Sequence, residues 1–392
     1  MPHSIVIVGA GEFGLTAALE LRSRGWSVTV LDQGSVPHPD AASTDLNKVV
    51  RSDYGTDAIY TEMGEAAIAG WHRWNETFGT TLYHEDGFLV MTTEAMKPGG
   101  FEHDSFAFQT ARGHALQRRG SEDLRRGHPL WNAERYVDGY LNPVGGWAES
   151  GRTIAVLAEH ARAVGVAIVE HAAFANLHDH TVRTRDGQQW HGDIVLMATG
   201  AWTPALLPHL QDVMWSTGQT VMQFQPDDPS SYLAPEFPVW AADIGRTGWY
   251  GFPANADGIV KVANHGIGVR VNPMEPRVVP ADAGQVFRQF LRETFPALAD
   301  APLIASRQCL YCDTFDGAFW IDHDPAHAGL FVAAGDSGHA FKFAPVLGGI
   351  IADVVEGKPN RWAERFRSRT RRAPAKEGAR ASAGSDGKSE PS

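Results

Sequence analysis

The chain opens on a strand–turn–helix–strand signature that leaves few folds available to it. Ser4-Ile5-Val6-Ile7-Val8 is an apolar run of strand length, and its lack of polar alternation marks a strand buried on both faces. Gly9-Ala10-Gly11-Glu12-Phe13-Gly14 follows directly, and Leu15, Ala18 and Leu19 then recur at helical spacing as far as Arg24-Gly25. Val28-Thr29-Val30-Leu31 reads as a second strand ending in Asp32. This is a complete βαβ unit with G-x-G-x-x-G at its first turn. Gly9 makes the tight turn, Gly11 lets backbone approach a pyrophosphate, and Gly14 lets the helix pack on the strand. The helix N-terminus offers free N–H groups and a partial positive charge to phosphate. Asp32 is placed to accept hydrogen bonds from ribose hydroxyls. An acid there fits an unphosphorylated ribose, so the expected cofactor is FAD or NAD rather than NADP.

A chain of 392 residues can bury a large core and reads as two domains. Its formal net charge of −12 argues against nucleic acid as a general partner. Two cysteines, Cys309 and Cys312, are too few for a disulfide framework. No apolar run approaches the length of a membrane span, and no charged segment precedes an apolar one at the start. A cytoplasmic protein, acting as a monomer on small molecules, is expected. From Arg365 to Ser392 the composition changes: eight Lys/Arg stand against three Asp/Glu, a net of +5, among Ala, Gly, Ser and Pro. With no apolar periodicity, residues 363–392 read as a disordered basic tail.

Further nucleotide-domain segments lie far downstream. Thr153 to Val164 reads as an amphipathic helix, and Gly165-Val166-Ala167-Ile168-Val169-Glu170 as a strand, with Val169 at its cofactor end. Asp193-Ile194-Val195-Leu196-Met197 is a strand running into Ala198-Thr199-Gly200. Gly329 to Ala334 is another, followed by Gly335-Asp336 and a helix from near Pro345 to Val355. Segments so widely separated imply an insertion. The reading is α/β, and α+β overall: a Rossmann-type FAD-binding domain (1–84, 146–219 and 310–362) with an inserted antiparallel-sheet substrate domain (85–145 and 220–309). Trp215, Trp240 and Trp249 fall in or next to the second insert, as core packing or as a platform for a substrate ring.

This layout resembles the D-amino acid oxidase superfamily of FAD enzymes, with Ala198-Thr199-Gly200 as the flavoprotein feature. The closer resemblance is to monomeric sarcosine oxidase, N-methyltryptophan oxidase and L-pipecolate oxidase, over nearly the whole chain except the tail. Ser337-Gly338-His339-Ala340-Phe341-Lys342-Phe343 is its most specific motif. Cys309-Leu310-Tyr311, Tyr250-Gly251-Phe252-Pro253 and the stretch from Lys261 to His265 follow.

The resemblance implies roles for particular residues. Cys309 is expected to hold the flavin covalently as a thioether, with Gly200, Gly338 and Lys342 also on the cofactor. Cys312 is expected to be structural, because no second Cys pair or His cluster completes a metal site with it; no metal is expected. Lys261 is expected over the flavin, where a fixed cation in a dry site stabilises charge developing on oxygen. Arg51 and Lys342 are the expected substrate-carboxylate clamp, a planar fork and a point charge. His265, His339, Tyr250 and Tyr311 are the polar groups expected near the reacting carbon. Sarcosine oxidases have an arginine where this chain has Lys48, and Asp45-Leu46-Asn47-Lys48 looks more like the fructosyl amino acid oxidases. Lys48 is therefore a further catalytic candidate.

The function expected on these grounds is FAD-dependent oxidation of a secondary, N-alkyl or cyclic amino acid to an imine, with oxygen reduced to hydrogen peroxide. The alternatives are deglycation of a fructosyl amino acid, or a flavin dehydrogenase or specialised biosynthetic amino-acid oxidase serving another electron acceptor.

Overall fold

The computed structural model describes residues 3–371. Strand β1 (Ser4–Val8) lies at the heart of a six-stranded sheet. On one side it pairs in parallel with β2 (Ser27–Leu31), which pairs with Ala167–Val169. On the other it pairs with Ile194–Met197, which pairs with Leu330–Ala334. The antiparallel strand Trp320–His323 closes that edge. The continuous apolar run of β1 has a simple cause. Ile5 and Ile7 face the core beneath helices α1 (Glu12–Ser23) and Ala344–Val355, while Val6 and Val8 face a second core with Leu31, Met197 and Leu330. Both faces are covered, so the four positions from Ile5 to Val8 are all apolar.

Gly14 is fixed by close approach. A Cβ there would lie 1.9 Å from the carbonyl oxygen of Gly9, so only glycine lets α1 leave β1 at this angle.

The second large sheet has nine strands among the described residues. One end of it is the long antiparallel pair Met214–Phe224 and Leu303–Thr314, with Val260–Asn264 on the other side of the first strand. Trp249–Gly251, Val239–Ala242, Phe88–Thr92 and Asp138–Asn142 extend it. Val239–Ala242 and Phe88–Thr92 run parallel, and the other pairs in the sheet are antiparallel. Along Leu303–Thr314 the period of two sorts the cysteines. Cys309 and Tyr311 share one face and pack with Val221 and Ala263, whereas Cys312 joins the core of the nucleotide sheet.

One expectation is corrected, and one open choice is decided. Residues 363–371 are not a disordered tail but are held against the body. Phe366 is fully buried, Arg365 pairs with Asp57 at 3.2 Å, and the Ser368 N–H donates to Asp322. Arg369 forks onto both carboxylate oxygens of Asp316. The basic residues that read as solvated find partners from distant segments, and composition carries no sign of this. Residues 372–392 lie outside the described residues. The tryptophans do not form a ring platform: Trp240 is wholly buried, Trp249 stacks on Phe290 at 4.1 Å, and Arg270 lies over Trp215. No helix among the described residues is long and apolar enough to cross a membrane.

Candidate active site

Two cavities hold the expected site residues. The first runs from the turn after β1 to the end of β2 and is lined by Gly9, Gly11, Glu12, Asp32, Ser43, Phe174, Gly200, Trp202 and Asp336, among others. Asp32 holds its mouth: Oδ2 accepts from the Ala10 N–H at 2.8 Å and Oδ1 from the Gly34 N–H at 3.0 Å. A cleft that begins at an uncapped helix N-terminus and ends at an anchored acid fits the ADP half of FAD. Val169 is one layer back. It pairs with Leu31 and its carbonyl takes the Asp32 N–H, while Ala172 and Phe174 form the wall itself.

Sequence reasoning missed two carboxyls on this wall. Glu12 occupies a variable position of the glycine motif, yet it is buried at the start of α1, and burial lifts its pKa to about 8, with Asp336 adding to the rise. Burial thus favours its protonated form, which can donate toward an anion. Asp336, pushed up to about 6 mainly by burial, accepts from the N–H groups of Cys312 and Gly338. It thereby ties the long strand to the Ser337-Gly338 turn.

The second cavity is lined by Lys48, Arg51, Tyr250, His265, Tyr311, Gly338, His339 and Lys342, with Phe88, Ala241, Ile244 and Phe341 as its apolar part. Eight of the expected site residues, from four separate stretches of chain, therefore share one small space. Gly338 has φ +75°, and a Cβ there would meet the Tyr311 ring at 2.2 Å, so glycine is what lets that tyrosine lie against the turn. Arg51 and Lys342 both lie against the Tyr54 ring, the guanidinium 4.7 Å and the ammonium 5.5 Å from its centre. Lys342 is buried and donates to the His339 carbonyl at 2.7 Å. Both nitrogens of His339 are engaged: Nε2 lies 2.9 Å from the Gly317 carbonyl, which can only accept, so Nδ1 accepts from the Tyr54 hydroxyl at 3.0 Å. His339 thus holds Tyr54 in place against the two cations. Burial raises the Tyr250 phenol, and Lys48 and a hydrogen bond with Tyr311 oppose the rise.

Lys261 is not part of this lining. It lies behind it, 1% exposed, with Nζ 2.9 Å from Asp45 Oδ2, 2.5 Å from the Asn47 carbonyl and 4.3 Å from the centre of the Phe252 ring. Asp45 also faces Lys48 Nζ, at 3.4 Å, so one buried carboxylate bridges two lysines. Of the two, Lys48 reaches the cavity, and its Nζ lies 4.0 Å from Cys309 Sγ. Cys309 is buried and unbridged, as is Cys312. Asp45 was visible beside Lys48 in the sequence, but its partner stands 216 residues away.

Comparison with known proteins gives this geometry a context. Residues 4–354 match the family described as FAD dependent oxidoreductase. The chain is 30% identical to L-saccharopine oxidase of Schizosaccharomyces pombe, over 94% of each chain. It is 25% identical to monomeric sarcosine oxidase of a Bacillus species, over 90% of this chain and 91% of that one. Among solved structures it resembles Amadoriase I, a fructosyl amine:oxygen oxidoreductase of Aspergillus fumigatus. There the TM-score is 0.80 and the identity 26%, over 94% of this chain and 90% of that one.

Proposed function

The chain belongs to the FAD-dependent oxidoreductase family, and from that premise we propose that it oxidises the C–N bond of a secondary, N-alkyl or cyclic amino acid. The amine loses two hydrogens to become an imine, and oxygen takes them up as hydrogen peroxide. The observation that carries this reading is the pair Arg51 and Lys342, two buried cations that line one small cavity, 4.7 and 5.5 Å from the Tyr54 ring centre. A desolvated site with two positive charges calls for an anionic ligand. A carboxylate matches the planar fork of arginine and leaves the amine end of the substrate free to point at the reacting centre.

FAD, when bound, supplies the two-electron oxidation and hands the electrons to oxygen. The protein binds and orients. Gly9, Gly11, Asp32 and Gly200 would hold the nucleotide, and Gly338 and Lys342 the ring end. Arg51 and Lys342 fix the carboxylate, and His339 keeps Tyr54 in place against them. The protonated phenol of Tyr250, with Tyr311 and His265, forms the polar rim beside the substrate nitrogen. Phe88, Ala241, Ile244 and Phe341 exclude water and accept the N-substituent. Screening secondary, N-alkyl and cyclic amino acids for peroxide release tests the reading. It predicts turnover of acids and almost none of their amides or esters. Turnover with no such acid would overturn it.

A second reading has its own support. Lys48 lines the cavity, in the Asp45-Leu46-Asn47-Lys48 string that looks like fructosyl amino acid oxidases, and a solved neighbour is an amadoriase. Fructosyl amino acids belong in the same panel, and preference for them over small N-alkyl substrates would select deglycation.

We further propose that Cys309 carries the flavin covalently. Its support is a buried, unbridged thiol on the strand face shared with Tyr311, with Lys48 Nζ 4.0 Å from the sulfur. Acid-denatured protein is expected to keep its yellow colour and show the added mass of FAD. Cys309→Ser should release the colour into the supernatant, and Cys312→Ser should not. Retention that depended on Cys312 alone would reverse the assignment.

A further inference from the structure

Away from both cavities, on the rim of the nucleotide-binding sheet, three metal-ligating side chains converge. His209 sits in a single turn, Pro208–Leu210, shortly after the strand Ile194–Met197. Asp324 and His327 belong to the loop that leaves Trp320–His323 and returns into Leu330–Ala334. That loop is closed at its base by an Asp324 N–H to Leu330 carbonyl bond of 2.7 Å. The Asp324 carboxylate is wholly buried and points outward between the two imidazoles. Its Oδ2 lies 2.6 Å from His209 Nε2, and its Oδ1 lies 3.1 Å from His327 Nδ1 and accepts from the Ala326 N–H at 2.8 Å.

From this convergence we propose that His209, Asp324 and His327 form a binding site for a divalent transition metal, zinc being the natural test ion. The three donor atoms already lie within 4.8 Å of one another. Ligands about 2.0–2.2 Å from a tetrahedral zinc stand roughly 3.3–3.5 Å apart. The carboxylate–imidazole edges, 2.6 and 3.1 Å, are shorter than that and open as a metal replaces the shared hydrogen, while the two imidazoles draw together. Their side chains are 30% and 47% exposed, with ring centres 5.2 Å apart, so solvent-side space is available for that adjustment. The buried carboxylate anchors the site and the exposed imidazoles complete it.

The donor set decides the ion. Two imidazoles and one carboxylate suit zinc, cobalt, nickel or copper, and are too poor in oxygen for calcium or magnesium. Three protein ligands at the surface leave the fourth position to water. None of the three residues lines the nucleotide or the substrate cavity. His209 does lie just beyond Trp202 and Leu206, which line the nucleotide cavity. A metal here would pin that wall to the loop at Asp324, so its expected consequence is stabilisation of the flavin-loaded protein rather than chemistry on the substrate.

The experiment uses chelator-treated, flavin-loaded protein titrated with zinc chloride by calorimetry, with unfolding temperature measured in parallel. The expected result is one zinc per chain and a rise in unfolding temperature. Binding should be at least about tenfold weaker in His209→Ala and in His327→Ala, and the rise lost in both. These exposed positions should leave the flavin absorbance unchanged, which separates loss of a ligand from loss of fold. Asp324→Asn, which keeps the shape and removes the charge, should weaken zinc in the same way. Absence of binding to the wild type, or zinc held equally well by both histidine variants, would overturn the proposal.

Discussion

Lys342→Met is expected to lower kcat/KM for the true amino-acid substrate by roughly 30- to 5,000-fold, the equivalent of about 2–5 kcal/mol. The size follows from where the charge sits. Lys342 and Arg51 are both buried on one cavity, so a bound carboxylate has left water and depends on them. Removing one cation leaves the carboxylate half compensated in a poorly solvated space. Arg51→Met should have an effect of similar size, and Arg51→Lys should recover only part of it. An ammonium cannot offer the planar fork, nor fill the space between the Tyr54, Phe101 and Phe88 rings that the guanidinium occupies. The double variant should lose less than the sum, because both residues serve one group. Decarboxylated analogues should behave in the wild type much as the acids behave in the variants. Simple carboxylates should inhibit competitively. Equal oxidation of acids and their decarboxylated analogues would remove the clamp and the amino-acid substrate class together.

The second large effect concerns the lysines bridged by Asp45. If Lys261 is the cation that assists oxygen, Lys261→Met should slow the reaction of the reduced enzyme with oxygen by about 100- to 1,000-fold, with a smaller change in its reduction by substrate. The structure adds a pH signature. Burial pushes Lys261 down to about 8, against the pull of Asp45, so its charge is lost as pH rises through that value. Lys48 moves the other way: although burial opposes its charge, a Cys309 thiolate and Asp45 hold it above the ordinary lysine range, and the pull of Asp45 remains once the sulfur carries the flavin. An oxygen step that depends on Lys261 must therefore fall above about pH 8, and that limb must vanish in Lys261→Met. A step that depends on Lys48 shows no such limb, and Lys48→Met then carries the larger loss. Stopped-flow measurement across pH separates the two.

Stability should respond as well. Breaking a buried pair costs about 3–5 kcal/mol, and Lys261→Met should fall near the lower end because Lys48 still faces Asp45. Linkage gives its sign. A lysine whose folded value lies below its unfolded value makes the protein less stable while both states are charged. The wild type should therefore gain stability from pH 8 upward, and Lys261→Met should lose that slope.

By itself the sequence determined the nucleotide-binding core. The signals there are local and redundant: an apolar run with no polar break, three glycines set by backbone contact, and an acid at the end of β2. Each is required by atoms only a few residues away or by a partner strand of the same pattern, so spacing alone reveals it. The convergence of Arg51, Tyr250, His265, Tyr311, His339 and Lys342 was also expected, but through resemblance and not through spacing. A period of two sorts a strand's residues onto faces without saying what either face meets. That limit is why Lys261 could be placed on a strand, yet only the tertiary structure set it behind the cavity wall on Asp45, with Lys48 in front. The same limit hid Glu12, which looked like a free position of a glycine motif until the fold buried it beside Asp336. Tertiary structure alone decided the docking of residues 363–371 and the meeting of His209 with Asp324, 115 residues apart. Charge pairing and burial depend on which distant segments the core brings together, and no local pattern of residues encodes that distance.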